Sequence, residues 1–447
     1  MIIRIHFSRI VNSHGSMRLA SYMTIWVAYL AFMSRHSPRG IEWLPWHLQR
    51  IYNAVQYVKV NGYFYSNGFS IWSTCKECSY SASEWIGNIY LSSSVFKLFP
   101  YIFLNHFWGF EALQKFGPIV DRMAIFIAAA AAAELSIICL DKYGTLPKYF
   151  VGSACFLLFA TTPWTYRMLL SSWLEIYFLP LLLLALLFFY HGRNATGCLL
   201  LFCASWFHYQ WAVALVGFYG LFFLGSYIFK CDEQAKKYLP TYGNTIDGMV
   251  VIIFSIIFSP LFEGVLRWMA LQDIVSASGS SLLYRMGISG VDIHNGGLLG
   301  ALQFLGGNRV TVCLADYGSG TLIVNLTDGI ARYNCILSIG SMLLLSVAAI
   351  AGLIILIKKS EQAKWIVFPL VYALLIFITF LQQSLSAHLM GYSFIFSFLF
   401  ALGIVSVMAW LTEFIHSLTL RIALSVPSVL GIVFLMIRVS MLTGANG

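Results

Sequence analysis

In the stretch "GIEWLPWHLQR", residues 40–50, a single carboxylate, Glu42, stands beside Trp43 and close to Trp46, directly after the first apolar run. Indoles collect at membrane–water boundaries. A carboxylate held among them is partly desolvated, which favours its protonated form and suits it to take a proton as a general base. Glu175 is the second candidate: it follows "TTPWTYRMLLSSW" and opens onto "IYFLPLLLLALLFFY". An ionisable group so close to hydrocarbon is costly, and is usually functional or paired. Arg167 lies two helical turns earlier, so a structural ion pair through an intermediate partner stands beside the catalytic reading. Glu84, in "ASEWIG", reads as an exposed interfacial acid.

Holding a phosphate calls for cationic donors, best supplied by the planar guanidinium fork. Arg267, Arg285 and Arg309 in a late polar region, with Arg50 and Lys59 in an early one, are available. Any one of them alone is more often an ordinary interfacial anchor. His208 in "WFHYQW", His294 and His388 could orient a sugar or the phosphate, although a lone histidine near a helix end is more often simply hydrogen-bonded. No His–Glu cluster reaches metal-ligand quality, no glycine-rich loop follows a strand and no Ser-His-Asp order can be argued, so neither a metal nor a cofactor is expected. Among nine cysteines only Cys75 and Cys78, in "CKEC", are spaced as a pair. One pair is too few for tetrahedral zinc, which leaves a local disulfide or two inert thiols. A base, cations for a departing phosphate and greasy surroundings are what an enzyme at a membrane rim needs for a lipid-carried substrate.

The elements that must position these groups follow from composition. Of 447 residues, 59% are hydrophobic and only 10% charged, against about 25% charged in soluble domains. The chain therefore reads as a polytopic, all-α membrane protein, with no alternating β-barrel pattern to compete. The net charge of +9 is scattered singly between apolar runs rather than clustered on a polar domain, so no nucleic-acid partner is expected.

Eleven spans are expected, near residues 19–33, 119–140, 149–160, 173–190, 196–207, 211–229, 249–261, 336–357, 365–381, 392–411 and 422–441. The first follows a polar leader without a small-residue cleavage site and should be retained. The leader's Arg4, Arg9 and Arg18 put it in the cytoplasm by the positive-inside rule, and Lys142, Lys148, Arg193, Lys230, Lys236, Lys237, Lys358, Lys359, Lys364 and Arg421 then fall in inside loops. Two large regions, 34–118 and 262–334, remain outside, the second rich in glycine. Within the first, "VFKLFPYIFLNHFWGF" reads as a helix lying among headgroups. A true span there would invert everything downstream. Apart from Glu134, acids are nearly absent from span centres and no internal repeat is visible, which weighs against a transporter or flippase.

With this layout, the N-terminal half resembles the C-type membrane glycosyltransferases (GT-C superfamily), which take sugars from polyprenyl-phosphate carriers. The resemblance lies in the order of "GIEWLPWHLQRIYNAVQYVKVNGYF", "LFPYIFLNHFWGFEALQKFGPIVDRMAIF", "ATTPWTYRMLLSSWLEIYFLP" and "LLLFCASWFHYQWAVAL", with a looser match in "QQSLSAHLMGYSFIFSFLFALG". A small chain with two sizeable outer loops looks, among these, like the serotype-converting O-antigen glucosyltransferases. The resemblance implies that Glu42 corresponds to the family base and Glu175 to an acidic position at the start of the fourth span. In the family the first-loop acid is usually Asp, commonly beside a second acid; here Glu42 stands alone. The implied reaction is a single, inverting displacement from a polyprenyl-phosphate sugar to a lipid-linked glycan or O-antigen acceptor, at the periplasmic face of a bacterial inner membrane. An O-antigen polymerase or ligase is the rival enzyme, since such proteins carry arginines in a dominant late outer loop and the spacing from Arg309 to Gly320 suits them; the large first loop favours the transferase.

Overall fold

The computed structural model of the chain describes residues 13–37, 41, 99–170, 174–207, 329–380 and 393–445. Among them every regular element is helical. The helices are α1 (Ser13–His36), α2 (Phe99–Leu140), α3 (Lys148–Thr161), α4 (Pro163–Leu170), α5 (Phe178–Tyr190), α6 (Asn194–Phe207), α7 (Gly329–Lys359), α8 (Glu361–Phe380), α9 (Ser393–Leu411) and α10 (Leu418–Ala445). Four stretches among the described residues are long and apolar enough to cross a membrane, on α2, α7, α9 and α10, and α3 and α5 are shorter apolar helices. Outward faces of α7 (Leu344, Val347, Ile350, Ile354) and α10 (Leu424, Leu430, Phe434) stay exposed. Apolar exposure on that scale suits lipid rather than water. The chain is a helical membrane protein. The expected segments at 211–229 and 249–261 lie outside the described residues.

The core forms around α2, whose run "IFIAAAAAAEL" leaves little side chain to hold neighbours off. Ala128, Ala129, Ala132 and Ala133 are fully buried, as are Cys155, Phe156 and Phe159 of α3. α1 buries Tyr22, Trp26, Tyr29 and Met33, the alternating four- and three-residue spacing that lines up one helical face. Tyr22 stacks on Phe156 with centroids 5.0 Å apart.

α7 and α9 meet at backbone distance. A methyl group on Gly352 would overlap the carbonyl of Gly403, and one on Gly403 would overlap the carbonyl of Ala349. Without a hydrophobic drive between helices in lipid, such small-residue contact supplies the dispersion that holds a pair together.

α4 lies within the stretch read from sequence as a connection between spans. Pro163 takes the first helical position, where its missing N–H costs nothing. The Thr162 hydroxyl caps the helix by accepting the Thr165 N–H at 3.2 Å. That hydroxyl also lies 2.8 Å from Ser397 Oγ, while Trp164 packs edge-on against Phe396 and Phe400 of α9. Eight residues, opening on a proline and ending before a polar Ser-Ser, are too few for an apolar run to reveal them; burial against α9 makes the helix.

Cations gather at one end. Lys359 pairs with Glu413 at 2.5 Å and sits over the Tyr143 ring at 5.1 Å. Burial, and then the charge of Glu413, push the Tyr143 phenol up to about 12, so it stays neutral beneath the ammonium. Arg421 donates to the carbonyls of Ile415, at 2.5 Å, and Thr145, at 3.0 Å. The α2–α3, α7–α8 and α9–α10 connections therefore share an end, and Lys148, Lys358, Lys359, Lys364 and Arg421 with it. We expect Gly403→Leu to lower the thermal midpoint of the detergent-solubilised protein, by about 1–3 kcal/mol of overpacking. Gly431→Leu, where nothing lies within 4 Å of an added Cβ, should leave the midpoint in place.

Candidate functional site

Midway along α2, away from those cations, Asp121 and Arg122 interrupt an apolar run. Asp121 stands about 28 Å along the helix from Leu140, close to one thickness of hydrocarbon. It is only 1% exposed, and a buried carboxylate is tolerable only with donors around it. Tyr177 supplies one, its hydroxyl 2.8 Å from Asp121 Oδ1. Tyr101 supplies another, donating to the same oxygen. The two phenol oxygens are 3.1 Å apart.

The Tyr101 bond reports the shape of α2. Twenty residues separate the partners, which a straight helix would hold about 30 Å apart. The helix reverses at Gly109, whose φ of 78° and ψ of −174° lie outside the helical region and in one that only glycine adopts without strain. Residues 99–108 thus form an arm folded back along the rest of α2. At about 15 Å that helical arm is too short to cross a bilayer. It exposes Phe103, Phe107 and Trp108, which touch one another.

The first loop begins beside this cluster. Arg122 Nη2 donates to the carbonyl oxygen of Ile41 at 2.6 Å. Just before it, Ser37 is buried and its hydroxyl bonds that of Tyr166 on α4. The chain leaving α1 is therefore held twice, by α4 and by α2.

Three sequence candidates border this region. Glu42 is the residue after Ile41, and lies outside the described residues. Arg167 follows Tyr166 on α4, and Glu175 falls in the 3-10 turn Leu174–Tyr177, two residues before the tyrosine that bonds Asp121. The segments carrying both expected acids are thus tied to one turn of α2. Arg50, Lys59, His208, Arg267, Arg285, His294 and Arg309 lie outside the described residues, as do Glu84, His388, Cys75 and Cys78. Among the described residues no three His, Cys, Asp or Glu come together as a metal site.

Sequence reasoning passed over Asp121 and Arg122. A signal was there: adjacent opposite charges in "PIVDRMAIF", where ionisable groups are expensive. Tyr101 and Tyr177 gave none, because their meeting depends on the Gly109 reversal.

A second polar group lies toward the cationic end. Arg18 grips Glu134 with two bonds of 2.8 Å, and the Tyr22 hydroxyl donates to the same carboxylate at 3.1 Å. Gly152 makes room for that hydroxyl: a side chain there would strike it. Glu134, the exceptional mid-span acid of the sequence, is the anchor of α1 on α2. A scan against protein-family models finds no match, and a search of curated proteins finds none either; the glycosyltransferase resemblance rests on the residues quoted for it.

The ion pair makes its own prediction. Side-chain exposures of 20% for Arg18 and 28% for Glu134 leave the pair partly buried, so Glu134→Gln strips a half-solvated cation of its partner and should cost about 1–2 kcal/mol. In thermal unfolding, replacing both partners with Met should recover most of that loss; equal losses in single and double variants would count against the anchor.

Proposed function

We propose that the chain is an inverting glycosyltransferase that moves a sugar, glucose in our reading, from a polyprenyl-phosphate donor to a lipid-linked glycan acceptor at the outer membrane face. The observation that carries this is the tie between the two acid-bearing segments: Arg122 bonds Ile41, next to Glu42, and the adjacent Asp121 bonds Tyr177, in the turn of Glu175. The residue before Glu42 and the turn of Glu175 are bonded to neighbouring residues of one helix, beside a lipid-exposed bundle.

Orientation follows from charge. Arg18, Lys148, Lys358, Lys359, Lys364 and Arg421 share the end away from Ile41, and lysine and arginine are retained on the cytoplasmic side. The Ile41 end then faces the periplasm of a bacterial inner membrane. The arm at 99–108 lies among headgroups there, with its exposed aromatics in the interface.

In the reaction, Glu42 takes the proton of the acceptor hydroxyl as its oxygen attacks the anomeric carbon. The bond from that carbon to the phosphate oxygen breaks, and its electron pair leaves with the polyprenyl phosphate. Attack opposite the leaving group inverts the anomeric centre. Arg267, Arg285 and Arg309, with Arg50 and Lys59, are the cations assigned to the departing phosphate. Glu175, Arg167, His208 and His294 are assigned to shaping the sugar pocket. No metal is required by this scheme.

The test is transfer of sugar from a polyprenyl-phosphate donor to a lipid-linked acceptor in membranes. Glu42→Gln should lower the rate about 10²- to 10⁴-fold at unchanged protein level. Undiminished transfer would remove Glu42 from the chemistry. A cysteine at position 42 should also react with an impermeant maleimide added from outside intact spheroplasts; labelling only after the membrane is opened would overturn the orientation.

A further inference from the structure

We infer that Asp121 and Arg122 are a paired positioning device: from consecutive places on α2, one holds the turn that carries Glu175 and the other holds the start of the loop that carries Glu42. This rests on the glycosyltransferase reading only for the identity of the two acids as site residues. The holding itself is a claim about the chain.

Consecutive residues on a helix diverge by about 100°, so they address different neighbours. Asp121 turns to the two phenols, and Arg122 to Ile41. The groups held are of different kinds. Ile41 is gripped by its carbonyl, so the bond fixes the backbone whatever side chain follows. The 3-10 turn is gripped through Tyr177, whose ring is tilted by 59° against that of Tyr101 at 6.4 Å. Tyr101 ties in a third segment, the arm, by way of Gly109. A rigid shaft thereby sets the register of two pieces of chain separated by more than 130 residues. Neither residue touches a reacting atom on this account; they act through Glu42 and Glu175. That is the supporting layer a site needs if its acids are to be held within a fraction of an ångström of working geometry.

A merely structural role would loosen everything together, so the test reads each segment separately. Hydrogen exchange is followed by mass spectrometry on the full chain in lipid nanodiscs, with peptides covering residues 37–45, 99–108 and 171–178. Arg122→Ala should speed exchange in 37–45 at least about tenfold and leave 171–178 within about threefold of wild type. Tyr177→Phe and Asp121→Asn should do the reverse, with 99–108 following Asp121→Asn and Gly109→Ala. Arg122→Lys, which keeps one donor, should restore part of the protection in 37–45. Sugar transfer, measured in parallel, should fall about 10- to 100-fold in kcat for Arg122→Ala, the size of a misplacement near 1 Å, with the donor KM changed less than about threefold. Equal loosening of all three peptides in every variant, or none in any, would overturn the device. If the segment-specific pattern appears while wild-type protein transfers no sugar, the reaction assignment fails and the positioning stands. Should Asp121→Asn not fold, Tyr177→Phe and Arg122→Lys decide the matter, since each keeps the volume of the site.

Discussion

A carboxylate buried within an apolar helix must be surrounded by donors, and the residues around Asp121 are arranged to meet that requirement. One donor comes from Tyr177 in a distant turn, a second from Tyr101 on the same helix. The second is available only because α2 doubles back at Gly109. A left-handed glycine, a ten-residue arm and a tilted tyrosine pair are therefore consequences of one electrostatic demand. An aliphatic residue at 121 would take away the acceptor that the two phenols share, so the three groups are coupled as a unit.

The rest of the bundle lets α2 serve as a reference. Alanines along its length bring α3 close, and bidentate capture of Glu134 by Arg18 fixes α1 against it near the other end. α1 is thus held to α2 near its start by an ion pair, and Ile41, beyond its other end, is held by Arg122. Farther out, Gly352 and Gly403 draw α7 onto α9, and α9 in turn takes the hydroxyls and the tryptophan of α4. The chain of contacts runs from the lipid-facing helices to Tyr166, and through Tyr166 to Ser37 at the head of the first loop.

The helices were legible where the signal was a long apolar run. The expected segments at 336–357, 365–381, 392–411 and 422–441 overlap α7, α8, α9 and α10, and that at 119–140 covers the second half of α2. α4 was not legible, since it is only eight residues long and opens on a proline. The reach of α2 back to Phe99 was hidden for a related reason: aromatic and polar residues alternate there, and one glycine decides between a continuous helix and a reversal. Of the candidate site, Glu42, Arg167 and Glu175 could be picked out as charges beside hydrocarbon; the residue before the first and the turn of the last are bonded to α2. Asp121 and Arg122 carried the same signal and were passed over, lying inside the expected 119–140 segment. Hydrogen bonds between residues 20 and 56 positions apart have no local trace at all.

Why two charges sit together at 121 and 122 can be argued from cost. A lone carboxylate at that depth would need full compensation, and a lone guanidinium likewise. Side by side, each lowers the field the other must bear, and each reaches a polar group on another part of the chain: phenol hydroxyls donate to the acid, and a peptide carbonyl accepts from the base. A bond to a backbone carbonyl fixes the chain at Ile41 whatever side chain follows, and a bond to the Tyr177 hydroxyl fixes the 3-10 turn that ends there. The adjacency of opposite charges on α2 thus lets one turn of helix hold two segments that are far apart in sequence.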